Sequence, residues 1–195
     1  MKSPFLYLAF AIALSSTAFS QSQPKINFDL RSVPAENRVV SDLTRDHFDT
    51  ATESVRHPAS AAAADLERQV FRLLNAERRV HGLQALEWSD EVAAVARLHS
   101  QNMADKGFFS HRGSDGSMVD DRADRMGLGE WRMIGENIAY MRGYEDPASL
   151  AVEKWMESTA HRKNLLGASW RESAVGVAIT RDGTYYMTQV FLLRK

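Results

Sequence analysis

The chain has 195 residues, of which 44% are hydrophobic and 25% are charged, and its formal net charge is −1 at pH 7. This is the composition of an ordinary globular protein. The near-neutral charge excludes the basic surface by which proteins bind nucleic acid or anionic membranes. The chain contains no cysteine, so its stability must come from core packing, and it lacks the cysteine that carries the lipid of a bacterial lipoprotein.

Residues 1–20 have the pattern of a signal peptide. Lys2 provides a basic start, residues 5–14 are almost all apolar, and Ala18-Phe19-Ser20 is a small-x-small cleavage site. The apolar run is shorter than the roughly 20 residues that span a bilayer. We therefore expect cleavage rather than a retained anchor, no transmembrane segment after cleavage, and a secreted or periplasmic bacterial protein.

Residues 21–64 are polar, contain three prolines and show no sustained periodicity. We expect a weakly ordered leader or linker here, with His47 and His57 as exposed linker histidines rather than metal ligands. The alanine run at 61–64 favours helix and can start the first helix early. A single folded domain is expected from residue 65 to residue 195.

The apolar spacing predicts one helix that ends at Gly82 and a second that runs from Ser89 to Gly107. Ser89 is a suitable N-cap, and the two acidic residues after it favour the positive end of the helix dipole. His99 lies on the apolar face of the second helix. We expect a hydrogen-bonded core histidine there rather than a ligand.

Two further helices are predicted in the second half. Residues 120–127 read as a short helix on which Arg122 holds a carboxylate, either in the interior or in an ordinary surface ion pair. Asp146 followed by Pro147 is a typical helix start. That helix is predicted to continue to the basic cluster at residues 161–163, which suits the negative end of a helix dipole.

The C-terminal region predicts a β-hairpin. Apolar runs at 175–179 and 185–193 flank Asp182-Gly183, and this dipeptide is a strong hairpin turn signal. Gln189 shares a face of the second run with apolar residues, which makes it a polar residue on an apolar surface.

A carboxylate in an apolar strand is the most informative local feature. Residues 134–141 predict a strand, and Ile134, Glu136 and Ile138 share one face. Burying an ionised carboxylate without a partner costs several kcal/mol or more, so Glu136 must be paired, protonated or bound to a metal. His111 and His161 are the two candidate partners.

The ordered set of motifs is more specific than any one of them. The motifs are Leu74-Asn75 with Arg78, Gly82-Leu83, Leu86 with Trp88, Ala96, His99-Ser100, Met103-Ala104, Phe108-Phe109-Ser110-His111, Asp115-Gly116, Arg122, Gly127, Gly135-Glu136-Asn137-Ile138-Ala139, Trp155-Met156 with Ser158, His161-Arg162, Asn164-Leu165, Gly176-Val177, and Tyr186 with Thr188-Gln189 and Phe191. Together they resemble the bacterial branch of the CAP superfamily, also called the SCP/PR-1 family.

The resemblance implies an α+β fold, a three-layer α-β-α sandwich with a small, mainly antiparallel sheet. It also implies a cleft in which the better-known members place two histidines and two acidic residues. His111 matches the first histidine and Glu136 the first acid. The second acid falls at or next to Ser158, and the second histidine falls at Tyr186, for which His161 is a possible substitute.

The expected ligand cleft therefore contains six residues: His111, Glu136, His161, Tyr186, Gln189 and Ser158. Two chemical interpretations are open. His111 and His161 could hold zinc or another divalent cation with one position open, with Glu136 either as a further ligand or as the hydrogen-bond acceptor behind the ligands. Alternatively, Glu136 is a buried hydrogen-bond hub that fixes a unique core.

Two classes of function follow from these interpretations. A metal-assisted hydrolase would use Glu136 and His111 as catalytic residues, although the chain has no Gly-x-Ser-x-Gly motif of a serine hydrolase. The resemblance also implies extracellular roles such as lipid or sterol binding and protein interaction. We expect an extracytoplasmic binding module rather than an enzyme, with a protein, an envelope component or a lipid as partner and no nucleic acid.

Overall fold

The computed structural model describes residues 58–195, so the signal peptide at 1–20, most of the leader at 21–64, and His47 and His57 lie outside the described residues. The elements in chain order are α1 (Pro58–Val80), β1 (Glu87–Trp88), α2 (Asp90–Lys106), α3 (Val119–Arg125), β2 (Trp131–Arg142), α4 (Pro147–Glu157), α5 (Thr159–Leu165), β3 (Glu172–Ile179) and β4 (Thr184–Arg194).

The strands form one four-stranded sheet in the order β1-β3-β4-β2. Strands β3, β4 and β2 pair antiparallel, and the two residues of β1 pair parallel to β3. The predicted hairpin and the predicted strand around Glu136 are both confirmed. Strand β1 was not predicted, because two residues are too few to show a period.

Helices cover both faces of this sheet. Alternate residues of β4 show the division, because Tyr186 and Val190 pack in clusters with α2, whereas Met187 and Phe191 pack in the cluster of α1, α4 and α5. Successive side chains of a strand point to opposite faces. The predicted α-β-α sandwich is thereby confirmed, and the face of Glu136 is the α2 face.

The structure confirms the predicted helix-capping or helix-ending residue at three positions. Ser89 caps α2 through its side chain, Gly107 ends α2 in the left-handed conformation at φ 64°, and the Asp146 side chain accepts from the N–H of Ser149 at the start of α4. These residues act through contacts within a few positions of themselves. Local sequence therefore suffices to place them.

The prediction of one helix from Asp146 to residues 161–163 is wrong. Helix α4 ends at Glu157, Ser158 is extended at φ −81° and ψ 122°, and α5 begins at Thr159. An extended residue cannot continue a helix, and a short polar residue suits the start of the next one. The break leaves His161 on a separate short helix, where it is buried.

Side chains satisfy the backbone at both edges of the sheet. On β2, the carbonyl of Glu136 accepts from Asn164 Nδ2 at 3.1 Å, and that of Ile138 accepts from Trp155 Nε1 at 3.0 Å. On β3, the N–H of Val177 donates to Glu67 Oε1 at 3.1 Å. These bonds protect edges that would otherwise pair with another chain, and they hold α4 and α5 against β2.

Helix α2 approaches β3 closely at Gly176. A Cβ atom at this residue would lie 2.2 Å from the backbone N of Arg97 and 2.3 Å from the backbone C of Ala96. Backbone cannot move aside as a flexible side chain does. We expect Gly176→Ala to destabilise the domain by about 2 kcal/mol or more, since α2 must move off the sheet.

Urea unfolding monitored by tryptophan fluorescence would measure this effect. Gly129→Ala is the matched control, because its Cβ would meet only the carbonyl of Gly127 at 4.0 Å. Equal unfolding free energies for the two variants would contradict the close packing of α2 on β3.

Candidate functional site

The candidate site is centred on the carboxylate of Glu136, which β2 places in the interior with 7% exposure. Its Oε2 accepts a hydrogen bond from Arg122 Nη2 at 2.6 Å, and its Oε1 lies 2.8 Å from His111 Nδ1. Both carboxylate oxygens therefore have a short, charge-assisted or polar partner. Glu136 is paired, as its burial requires.

Arg122 enters this centre from α3. Its side chain is 2% exposed, and Nη1 donates to the backbone carbonyls of His111 at 3.2 Å and Ser117 at 2.9 Å. The interior alternative for Arg122 is confirmed, and the surface ion pair is wrong. One guanidinium therefore neutralises Glu136 and holds the loop that carries His111.

His99 supports the same loop from α2. It is fully buried, and Nε2 lies 2.9 Å from the carbonyl of Ser110 and 3.9 Å from Glu136 Oε1. Since a carbonyl only accepts, Nε2 carries the proton and the unpartnered Nδ1 is the lone-pair nitrogen. Burial lowers the pKa of His99, while Glu136 opposes this shift. The prediction of a hydrogen-bonded core histidine is confirmed.

His111 and His161 face each other at the surface of the site. The carboxylate of Glu136 accepts from His111 Nδ1, which leaves Nε2 outside this bond on a side chain that is 38% exposed. The His161 ring centroid lies 6.3 Å away. His161 is 7% exposed with an unpartnered Nδ1, and its pKa is lowered by burial and then by His111.

Aromatic rings extend the site along β2. Tyr186 is nearly buried and packs on Tyr140 at 5.0 Å between ring centroids, and Tyr140 packs on Phe109 at 5.8 Å. Burial raises the pKa of the Tyr186 phenol, and Tyr140 and Asp182 add to this effect. At the position where the family resemblance expects a histidine, this chain therefore has a neutral aromatic side chain.

The structure does not bring Gln189 and Ser158 to this group. Gln189 is fully buried on the opposite face of the sheet, where its Nε2 lies 3.4 Å from Ser173 Oγ. Residues 186 and 189 are an odd number apart on one strand, so alternation puts them on different faces. Ser158 lies between α4 and α5, and its N–H donates to the Lys154 carbonyl.

Sequence reasoning missed two members of the site, Phe109 and Tyr140. Tyr140 is four residues from Glu136 on the same strand, so the period of two already placed it on the same face. Phe109 belongs to the motif Phe108-Phe109-Ser110-His111 but was not connected with Tyr140. This contact joins residues far apart in sequence, and no local sequence pattern predicts it.

The arrangement disfavours Glu136 as a direct metal ligand. Each of its oxygens already accepts one hydrogen bond, from Arg122 or from His111, and the Arg122 cation would repel a divalent ion. Over residues 58–195 no group of three or more His, Cys, Asp or Glu side chains could hold a metal ion. A divalent cation bound directly to Glu136 would lie next to the Arg122 guanidinium, whereas Glu136 as the acceptor behind a His111 ligand would keep both bonds.

The buried ion pair leads to a stability prediction. Replacing Glu136 by Gln leaves Arg122 as a buried cation without a counter-ion, and we expect a loss of about 3 kcal/mol in the unfolding free energy. The control Glu91→Gln removes an exposed carboxylate from Arg194, and we expect a loss below about 1 kcal/mol. Chemical denaturation of both variants checks this. Similar losses would show that the Glu136 pair is not a buried constraint.

The buried histidines predict a pH dependence. The pKa values of His99 and His161 are lowered from 6.5 in the fold, so the unfolded chain binds more protons near and below that pH. Stability is fully present above pH 6.5 and is lost as the pH falls from there towards the lowered pKa values. We expect the unfolding free energy to decrease between pH 7.5 and 5.5.

Urea unfolding at several pH values in this range would measure how steeply the unfolding free energy changes with pH. His161→Gln, which keeps a polar side chain but does not titrate, should flatten this dependence. A slope that His161→Gln does not alter would contradict a neutral, buried His161.

Known proteins show the same domain. Residues 71–191 match the family described as CAP, the cysteine-rich secretory protein family. The chain is 40% identical over 128 residues to the uncharacterized membrane protein YlbC of Bacillus subtilis, covering 66% of this chain and 34% of that protein. It is 33% identical over 149 residues to the uncharacterized protein YkwD of the same bacterium, covering 76% and 53%. The chain thus spans a third to a half of these relatives.

Solved structures that resemble this chain agree with the family match. An extracellular protein containing an SCP domain from Bacillus anthracis has 32% identity and a TM-score of 0.60, with 70% of this chain and 43% of that chain covered. An outer surface protein of Borrelia burgdorferi has 18% identity and a TM-score of 0.59, covering 67% and 94%, and shows the fold alone. On this evidence the chain, although free of cysteine, belongs to the CAP family of cysteine-rich secretory proteins.

Proposed function

We propose that this CAP domain is an extracytoplasmic binding module that takes its ligand in the cleft between His111, His161 and the ring of Tyr140. One observation carries the proposal: both oxygens of Glu136 are bonded within the domain, to Arg122 and His111. The paired charges of Glu136 and Arg122 therefore lie beneath the cleft and hold its lining in place. The groups left for a ligand are the imidazole rings of His111 and His161 and the ring of Tyr140.

Hydrolysis in the same cleft is less well supported. A general base must reach the proton it abstracts, but the carboxylate of Glu136 is buried and paired with Arg122. His111 is oriented by Glu136 as a base could be. Within residues 58–195, however, its Nε2 receives no hydrogen bond from a serine or threonine hydroxyl that could act as nucleophile.

The signal-peptide pattern and one related structure support a role outside the cytoplasm. Residues 1–20 carry the signal-peptide pattern, and the Bacillus anthracis structure is that of an extracellular protein. One relative is described as a membrane protein, whereas none of the helices between residues 58 and 195 is long and apolar enough to cross a bilayer. We propose secretion or periplasmic location on these grounds.

A groove between α1 and α4 favours lipid binding as a second candidate. It encloses about 470 Å³ and is lined by Leu73, Ala76, Glu77, Ser149, Val152, Glu153, Met156, Glu157 and Arg162. Lys154 pairs with Glu153 and Glu157, which reduces their negative charge and leaves Arg162 to meet an anionic head group. A single-chain amphiphile suits this combination.

Co-sedimentation with bacterial envelope fractions tests both candidates. Purified protein is mixed separately with cell-wall sacculi and with membrane vesicles, and the bound fraction is measured for the native protein, His161→Gln and Met156→Glu. We expect His161→Gln to weaken binding to one fraction roughly fivefold, as loss of about one hydrogen bond predicts. Met156→Glu, which alters only the groove, should bind normally.

Each other outcome decides against the cleft as a binding site. Loss of binding with Met156→Glu alone would favour the lipid groove. Soluble fragments that accumulate with time, and that stop when a chelator is added, would favour a metal-assisted hydrolase. No sedimentation with either fraction would contradict the proposed function as a whole.

A further inference from the structure

We infer that a basic surface, at the end of the domain where α1 and α5 finish, binds the protein to a membrane that contains anionic phospholipids. Five cationic residues form this surface, which we call the basic end: Arg78, Arg79, Arg162, Lys163 and Arg171. The inference goes beyond the proposed function, because the basic end uses none of the residues that line the cleft.

Contacts with Arg78 bring the three segments of the basic end together. Arg78 is fully buried in the last turn of α1, and its Nη1 donates to the carbonyls of Leu165 at 2.7 Å and Gly167 at 3.0 Å. Burial lowers the pKa of Arg78, and Arg171 lies close enough to lower it further. The end of α1, the end of α5 and the turn before β3 therefore meet at one guanidinium.

A second contact joins the exposed residues of α1 and α5. Arg162 Nη2 lies 3.1 Å from the Nε2 of His81, which directly follows the last turn of α1. Arg79, Arg162, Lys163 and Arg171 are all exposed. Helices α1 and α5 therefore present their basic residues next to each other at the surface.

Ion pairs do not cancel the charge of the basic end. Over residues 58–195, none of its five cations lies within 4.0 Å of a carboxylate oxygen. Glu77 faces His81 at 4.0 Å, Glu87 donates its backbone N–H to the carbonyl of Arg171, and Glu157 is already bonded to a lysine of its own helix. Five cations bordered by two acids without a lysine or arginine partner leave a local excess of positive charge.

Helix stability accounts for only part of this charge. Basic residues favour the negative end of a helix dipole, and each helix end carries about half a negative charge. The ends of α1 and α5 together therefore offset about one positive charge. Arg78 is also buried with neutral carbonyls as its acceptors, so an anion bound nearby would stabilise its charge.

The surroundings of the basic end favour a lipid surface over a soluble polyanion. Arg162 also lines the groove between α1 and α4, so one residue belongs to both the basic end and an apolar groove. Val80, next to Arg79, is 80% exposed, more than any other large hydrophobic residue between residues 58 and 195. Apolar side chains beside cations suit the boundary between lipid head groups and acyl chains.

The net charge of −1 does not reveal the basic end, because it is a sum over the whole chain. Asp120, Asp121 and Asp124 carry the opposite charge on α3. Attraction to a charged surface acts over a Debye length, which is about 10 Å at 0.1 M salt, so the local charge decides it. The net charge therefore does not exclude membrane binding by this end.

Co-sedimentation of the native protein with synthetic vesicles tests the inference. We expect binding to phosphatidylglycerol vesicles, release at high salt, and little binding to phosphatidylcholine vesicles. The double variant Arg79→Gln with Lys163→Gln removes two exposed cations. It should weaken binding to phosphatidylglycerol roughly tenfold or more, since each basic residue near an anionic surface contributes about 1 kcal/mol.

The matched control is Lys106→Gln with Arg181→Gln, which removes the same residue types from the opposite end of the sheet. Both residues are exposed. Lys106 ends α2, which starts beside Ser173 of β3, and Arg181 follows the end of β3. Binding should stay within about twofold of the native protein, because charges this far away are screened.

The exchange of Arg79→Lys with Lys163→Arg keeps both charges and should retain binding. Loss of binding in this variant, equal weakening by the two Gln double variants, or equal binding to both vesicle types would overturn the inference. Binding to soluble polyphosphate without binding to phosphatidylglycerol vesicles would also overturn it and would assign the basic end to an anionic polymer. None of these variants alters the cleft, so sedimentation of His161→Gln with envelope fractions tests the proposed function separately.

Discussion

The buried ion pair between Arg122 and Glu136 is the interaction on which the rest of the site depends. Two desolvated charges are stable only when their remaining donors and acceptors are satisfied, and here those bonds reach the loop after α2. The guanidinium holds the carbonyls of His111 and Ser117, and the carboxylate orients the His111 ring. One pair therefore fixes a strand, a short helix and the loop that lines the cleft.

The position of this pair in the fold explains why the cleft opens where it does. Strand β2 is at the edge of the sheet, so its α2 face meets the loop after α2, while its outer edge meets α5 through Asn164. The break at Ser158 makes α5 a separate helix and brings His161 within 6.3 Å of His111. The loop that carries His111 thus meets the α2 face of β2, and the helix that carries His161 meets the outer edge of the same strand.

The family resemblance and the geometry together change the chemistry expected of the cleft. A second histidine on β4 would add a nitrogen ligand near Glu136, but this chain has Tyr186 there, packed on Tyr140. The cation next to Glu136 is Arg122. Fixed hydrogen bonds and aromatic surface favour binding over catalysis, since neither supplies an activated nucleophile.

The sequence by itself determined the local elements of this protein. Ser89 and Asp146 as caps, the Asp182-Gly183 turn and the strand with Glu136 on an apolar face all depend on residues within a few positions of each other. Tertiary structure decided which cation meets Glu136, because Arg122 and His111 lie 14 and 25 residues away from it. It also joined Phe109 to Tyr140, since a contact of this kind depends on how layers pack and leaves no period in the chain.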